Sequence, residues 1–210
     1  MTTTAGLSQE MRDMVVQTLR EVLRRELPDE RVLELDRADE FPHDIIRAML
    51  SPVVGLHLVF LPESAGGLGG GAQDICRVSE EMAAVDLGVA TAFLAICLGT
   101  DPILVGGTEA QREKWLTRIA AEGLIVAYGV TEPAAGSNVA ALQTRAEPVR
   151  DASGAVAAYR LNGAKQFITN GGVAQLYTIL AQAPAGPTFF VVERDTPGVS
   201  AGRQEDKHGI

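Results

Sequence analysis

The chain has 210 residues, 46% of them hydrophobic and 21% charged, enough apolar content and length to bury a real core. A net charge of -9 with no Lys/Arg cluster argues against a nucleic-acid surface. A small anionic ligand stays open, because backbone N–H groups hold phosphates without net positive charge. The N-terminus lacks a basic segment followed by an apolar one, and no uninterrupted apolar run of about 18 residues is evident, so neither a signal peptide nor a membrane span is expected. His43, His57 and His208 are scattered and read as surface or packing residues. Cys76 and Cys97 fall in helix-like segments and read as reduced core cysteines. Together these features point to the reducing cytoplasm.

The first 123 residues carry helical periodicity. Leu7, Met11, Met14, Val15, Leu19, Val22 and Leu23 recur at three- and four-residue steps, with Ser8 as N-cap and Pro28 as stop. A short helix follows Pro28. Another runs from Pro42 through Ile45, Ile46 and Met49 to Pro52. An apolar stretch with a glycine-rich loop comes next. A helix is predicted over about 73–85, then a second over 87–104 that is apolar nearly all round and therefore expected to be buried. Thr108 to Gln111 reads as a capping box opening a further helix that Gly123 ends.

After Gly123 the period changes to two. LIVAYGV, ALQTRAEPV, AVAAYRL, KQFIT, AQLYTILAQ and TFFVVER read as strands. Turns fall at 151–154, at Asn162-Gly163 and at 184–187, and one more strand is expected from Gly198. The fold class expected is α+β: a helical domain over 1–123, then an antiparallel barrel-like or sandwich domain over 124–210.

Two loops invite a chemical reading. Gly67 to Ala72 fits G-x-G-x-x-A, but the following EEMAAVDLGVATAFL is helical and no second strand ends in an acid, so a helix-opening loop is the better reading. The second loop is YGVTEPAAGSN, Tyr128 to Asn138. An apolar run stops at Thr131-Glu132-Pro133, and four small residues, Ala134 to Ser137, follow. Taken singly, Thr131 is an ordinary strand threonine and Ser137 a turn residue. As a group they describe a place where a large flat ligand can approach the backbone.

Gly129 to Ser137 resembles the signature of the acyl-CoA dehydrogenase family, departing from it at Asn138, where the family carries Asp. Asn keeps the hydrogen-bonding carbonyl and loses the charge. A second family segment appears as Asn162-Gly163-Ala164-Lys165-Gln166-Phe167-Ile168-Thr169-Asn170, at the family's spacing, and a third as FFVVERDTPGVS. LPESAGGLG and GTEAQREKWL match in outline, so the resemblance extends from about Phe41 to Ile210.

The resemblance implies an FAD cofactor. Tyr128, Val130 and Thr131 would lie along the isoalloxazine, with Thr131 donating to its pyrimidine side. Gly136 would touch flavin or the acyl-CoA, and Ser137 would help place the thioester. Phe167 would pack on the ring, with Ile168 beside it, and Thr169 would bring its hydroxyl near N5. Glu132 reads as structural. No catalytic base is recognised, because the family's glutamate belongs to a C-terminal helical bundle and this chain stops at Ile210, inside the β-domain. The implied reaction converts acyl-CoA to trans-2-enoyl-CoA and passes electrons to an electron-transfer flavoprotein, in a homo-oligomer or with a complementing C-terminal chain. Two other readings stand beside it: a non-catalytic module that binds acyl-CoA or a partner, and an acyl-CoA oxidase-like flavoenzyme.

Overall fold

Ser8 opens the first helix as predicted: its side chain accepts from the Met11 N–H, and α1 runs Gln9–Glu26. The structure, a computed structural model, describes residues 6–207, so His208 lies outside the described residues. Two short helices follow, α2 (Asp29–Ala38) and α3 (His43–Leu50). The apolar stretch after them folds as two 3-10 turns, Leu56–Phe60 and Glu63–Ala65. The glycine-rich loop opens α4 (Ala72–Ala83) and belongs to no βαβ unit, because every neighbouring element is helical. Asp74 holds this junction: its buried carboxylate accepts from the Gly71 N–H at 2.8 Å, the Leu7 N–H at 2.9 Å and Arg12 Nε at 2.6 Å. Gly70 leaves no room for a side chain, since a Cβ there would sit 2.5 Å from the Val59 carbonyl oxygen.

The central helix α5 spans Leu87–Gly106, capped by the Asp86 carboxylate on the Val89 N–H. By length and composition it could cross a membrane, which corrects the expectation that no such segment exists; yet 56% of that window is buried inside this molecule. Its inner side packs on α4 and on α6 (Glu109–Glu122), whose Thr108–Gln111 capping box and Gly123 end are as the sequence reading placed them. The expectation of burial all round fails, however. Leu87, Leu94, Leu98 and Val105 are exposed, because no described element covers that side. Cys97 in α5 is half-buried, but Cys76 in α4 is exposed rather than in the core, and the two thiols are free.

A helical half is followed by a sheet, as expected. The strands are β1 (Val126–Gly129), β2 (Arg145–Arg150), β3 (Val156–Asn162), β4 (Leu176–Ala183) and β5 (Gly186–Glu193). The ladders are mixed. β2–β3 and β4–β5 are antiparallel hairpins, whereas β1 joins β4 in parallel, Val126 opposite Leu176 and Tyr128 opposite Thr178. Parallel pairing is possible because a long connection separates β1 from β4. No strand follows β5 among the described residues, so the strand expected from Gly198 does not form.

The core is continuous across residue 123. Leu19, Ile45, Met49, Phe93, Ile96 and Ile119 from the helices share one cluster with Val126, Ala127 and Leu176 of the sheet. Gly99 allows this closeness, because a Cβ there would lie 2.8 Å from Val126 Cγ1. Thr178 on β4 donates to the Gly99 carbonyl at 2.8 Å, tying α5 to the sheet a second time.

Candidate functional site

β1 ends at Gly129, and the next residues leave the sheet at its junction with α5. Glu132 and Ala135 bond each other's backbones reciprocally, N–H to C=O at 2.9 and 3.1 Å. That closes a tight turn and pushes Ala134, Gly136, Ser137 and Asn138 into solvent. A Cβ at Gly136 would meet nothing within 4 Å, so nothing inside the described chain demands a glycine there. Asn138, in place of the family's Asp, opens a short 3-10 turn over Val139–Ala141 with its backbone carbonyl, so the loop forms without the charge.

Glu132 fastens this turn to the rest of the sheet. One carboxylate oxygen accepts from Lys165 Nζ at 2.7 Å, from the Thr144 N–H at 3.0 Å and from the Thr144 hydroxyl in a very short contact. The other accepts from the Gln143 N–H at 2.7 Å. Burial alone would push this carboxyl up. The Lys165 ammonium, the Thr144 hydroxyl and the two N–H groups outweigh burial and bring it down to about 2. Glu132 is thus a structural anion, as its sequence context suggested.

The stretch Lys165 to Thr169, expected to be a strand, is an irregular loop. Three contacts take it out of any ladder. Gly163 lies directly against Thr144, where a side chain would overlap it. Lys165 Nζ reaches the Val130 carbonyl at 3.0 Å, and the Gln166 N–H donates to the Thr131 carbonyl at 2.9 Å. Phe167 then takes a left-handed backbone, φ +56°, rare and strained for an aromatic residue. Its ring is 62% exposed. The fold therefore spends strain to hold a large apolar ring outside the core, beside Thr131.

The residues singled out from the sequence fall into three groups. Thr131 and Phe167 are drawn together by the Gln166–Thr131 bond, with half-buried Val130 beside them. Gly136, Ser137 and Thr169 are exposed, and the hydroxyls of Ser137 and Thr169 make no internal hydrogen bond among the described residues. Ile168 points the other way and packs against the core, so only its backbone can face a ligand. Tyr128 is half-buried on β1, its ring 5.5 Å from that of Phe189 on β5.

Some of the architecture escaped the sequence reading. The role of Lys165 does not follow from its motif; its being the one charge between Leu161 and Ala174 is the signal the sequence offers. Asn170 also takes positive φ, +64°, and its Nδ2 donates to the Ala92 carbonyl of α5 at 2.9 Å, while its buried Oδ1 has no partner among the described residues.

An exposed aromatic ring, free hydroxyls on Thr131, Ser137 and Thr169, and an uncrowded Gly136 together suit a flat heteroaromatic group with polar edges. Such a group would cover Phe167 and hydrogen-bond the hydroxyls, so the residues present fit an isoalloxazine.

Comparison with known proteins identifies the family. The family model for the acyl-CoA dehydrogenase N-terminal domain matches residues 9–123, and that for the middle domain matches 127–210. The short-chain specific acyl-CoA dehydrogenase of Megasphaera elsdenii is 37% identical over 188 residues, 85% of this chain and 47% of that protein. The solved butyryl-CoA dehydrogenase of the same organism superposes with a TM-score of 0.84 at 32% identity, over 96% of this chain and 52% of that one. An acyl-CoA dehydrogenase of Bacillus anthracis solved in complex with FAD superposes with a TM-score of 0.81 at 28% identity, over 96% of this chain and 34% of that one. The chain thus spans about half the length of the curated relatives it matches.

Proposed function

The chain belongs to the acyl-CoA dehydrogenase family, and from that premise we propose that it forms the flavin-facing part of an FAD-dependent acyl-CoA dehydrogenase of the cytoplasm. The reaction proposed is α,β-dehydrogenation of an acyl-CoA to its trans-2-enoyl-CoA, with electrons leaving to an electron-transfer flavoprotein. The observation that carries this reading is the exposed Phe167 ring, held in strained backbone beside Thr131.

FAD bound here supplies the hydride acceptor. The chain's own residues bind and orient. Phe167 offers its ring face, with the backbone of Ile168 behind it; Thr131 and Thr169 offer hydroxyls to polar edges; Tyr128 and Val130 continue the ledge along β1. Gly136 and Ser137 lie where acyl-CoA reaches the ledge, Ser137 with a free hydroxyl for the thioester end. The exposed apolar stripe of α5, Leu87, Leu94, Leu98 and Val105, offers a wall for the acyl chain. Removing the α-proton needs a carboxylate against the α-carbon. Glu132 is committed to four donors and cannot serve. We assign the base to a segment outside residues 6–207, in a longer chain or a complementing chain.

The test is titration of the protein, within whatever assembly it is isolated in, with FAD and then acyl-CoA under anaerobic conditions. Flavin binding followed by bleaching, with slow reoxidation by oxygen, supports the dehydrogenase. Rapid peroxide formation would favour an oxidase. Acyl-CoA binding without bleaching would favour a binding module, and absence of flavin binding would sink the proposal.

A further inference from the structure

We propose that Asn170 is a positioning residue: its side-chain amide sets where the Thr169 hydroxyl and the Phe167 ring stand against FAD. The inference deepens the function proposed above and rests on it.

The loop that carries Phe167 and Thr169 runs antiparallel to β1 and is tied at both ends. At one end the Gln166 N–H donates to the Thr131 carbonyl at 2.9 Å. At the other, Asn170 Nδ2 donates to the Ala92 carbonyl of α5 at 2.9 Å and stands 3.5 Å from the Val126 carbonyl, where β1 begins. Three residues lie between the ties. Ile168 packs against the core, and Phe167 and Thr169 on either side of it are exposed. Ile168 fixes which way the segment faces, and the two ties fix where it lies along β1.

The amide at residue 170 is held for its donor. Asn170 is only 7% exposed. Its amide cannot be flipped, because Oδ1 would then face two carbonyl oxygens. Oδ1 is left buried without a partner among the described residues, which costs free energy. An apolar side chain would avoid that cost and lose the tie. The backbone is specific too: φ of +56° at Phe167 and +64° at Asn170 bracket Ile168 and Thr169. The turn that follows is closed locally, by the Val173 and Ala174 N–H groups on the Asn170 carbonyl, and held to β4 by the Tyr177 hydroxyl on the Gly171 carbonyl. Among the described residues the Asn170 amide is this loop's hydrogen bond to α5, the helix assigned above as the acyl wall. Without it, rotation about the Thr169 and Asn170 backbones is no longer coupled to α5. Hydrogen bonds weaken steeply with misalignment, so a small drift of the Thr169 hydroxyl is felt by the ligand.

The experiment compares Asn170→Gly, Asn170→Ser and Thr178→Val with the wild type, within the assembly in which the protein is isolated. Glycine keeps the left-handed backbone and removes the amide. Serine ends one atom short of the amide nitrogen. Thr178→Val removes the other side-chain tie between α5 and the sheet, the bond to the Gly99 carbonyl, without touching the loop. Melting of the flavin-free protein, FAD affinity by calorimetry and the reduction potential of the bound flavin are measured on each. Both Asn170 variants should bind FAD about tenfold more weakly, the loss of well-aligned contacts to one ligand edge, and hold it at a more negative potential. Thr178→Val should melt lower yet match the wild type in affinity and potential. Wild-type affinity and potential in Asn170→Gly would overturn this inference and leave the dehydrogenase reading standing. Equal weakening in Thr178→Val would also overturn it, since general loosening then explains the loss. If the glycine variant does not fold, the serine variant decides; failure of both to fold would overturn the inference, because the residue then serves the fold. Absence of FAD binding by the wild type would overturn both readings.

Discussion

Lys165 Nζ sits 2.7 Å from Glu132 Oε1, across 33 residues of sequence, with 9% and 3% of the two side chains exposed. The pair joins the turn after β1 to the loop that presents Phe167. Breaking one side leaves a buried charge without its answer, which typically costs roughly 3–5 kcal/mol. Lys165→Met should therefore destabilise the fold by an amount of that order in urea unfolding and release the Phe167 loop to proteolysis. Retention of wild-type stability would contradict the clamp.

The same carboxylate gives a pH dependence. Its folded-state value, about 2, lies below its ordinary 4.5. The stabilisation is thus present above about pH 4.5 and is lost as pH falls toward 2. Glu132→Gln should remove this component of acid sensitivity, so the unfolding free energy of the variant should fall less steeply than the wild type's across that window.

His57 sets a second window. It is buried, with Nε2 2.9 Å from the Ala120 carbonyl oxygen, and burial lowers its folded-state value below 6.5 despite that bond. Stability from keeping it neutral is present above 6.5 and is lost as pH falls through the lowered folded value, as the unfolded chain takes up the proton first. His57→Gln, which can keep a donor to Ala120 and does not titrate, should flatten the melting temperature against pH below 6.5. An unchanged profile would rule out His57 as the source.

Phe167 and Gly136 separate stability from binding. Phe167→Gly relieves a left-handed backbone that costs a side chain about 1–2 kcal/mol, though glycine gives part of this back through unfolded-chain entropy. The variant should melt no lower than the wild type and yet bind FAD at least about tenfold more weakly, the loss of one stacked aromatic face. Gly136→Ala should leave melting unchanged, because its Cβ meets nothing, and weaken ligand binding if a ligand approaches the backbone there. Loss of stability in either variant would show an internal role in place of a binding one.

The two cysteines should label at different rates. Cys76 is exposed, whereas burial, reinforced by Asp101, pushes the Cys97 thiol up to about 12. At pH 8 a maleimide should modify Cys76 rapidly and Cys97 only on unfolding; peptide mapping of the labelled chain checks this.

The local chemistry of the sequence was enough to place the helices. Ser8, the Thr108–Gln111 box and Gly123 end or begin helices through bonds that reach only three or four residues, so their pattern survives without any knowledge of the fold. Joining the two motifs into one candidate site took their resemblance to a family's ordered segments, because taken singly Thr131 reads as a strand threonine and Ser137 as a turn residue. What failed was everything that depends on a distant partner. KQFIT has strand composition, but Thr131, Val130 and Glu132 take its donors and Phe167 turns left-handed. The helix Leu87–Gly106 is apolar all round in sequence, yet one side lies open because no described element comes to cover it. β1 pairs in parallel with a strand some fifty residues on, a choice no alternation pattern encodes. Short-range hydrogen bonding and side-chain periodicity are properties of a segment. Which acid meets which base, which face is covered and which ring stays exposed are properties of the packed chain, and only the tertiary structure decided them.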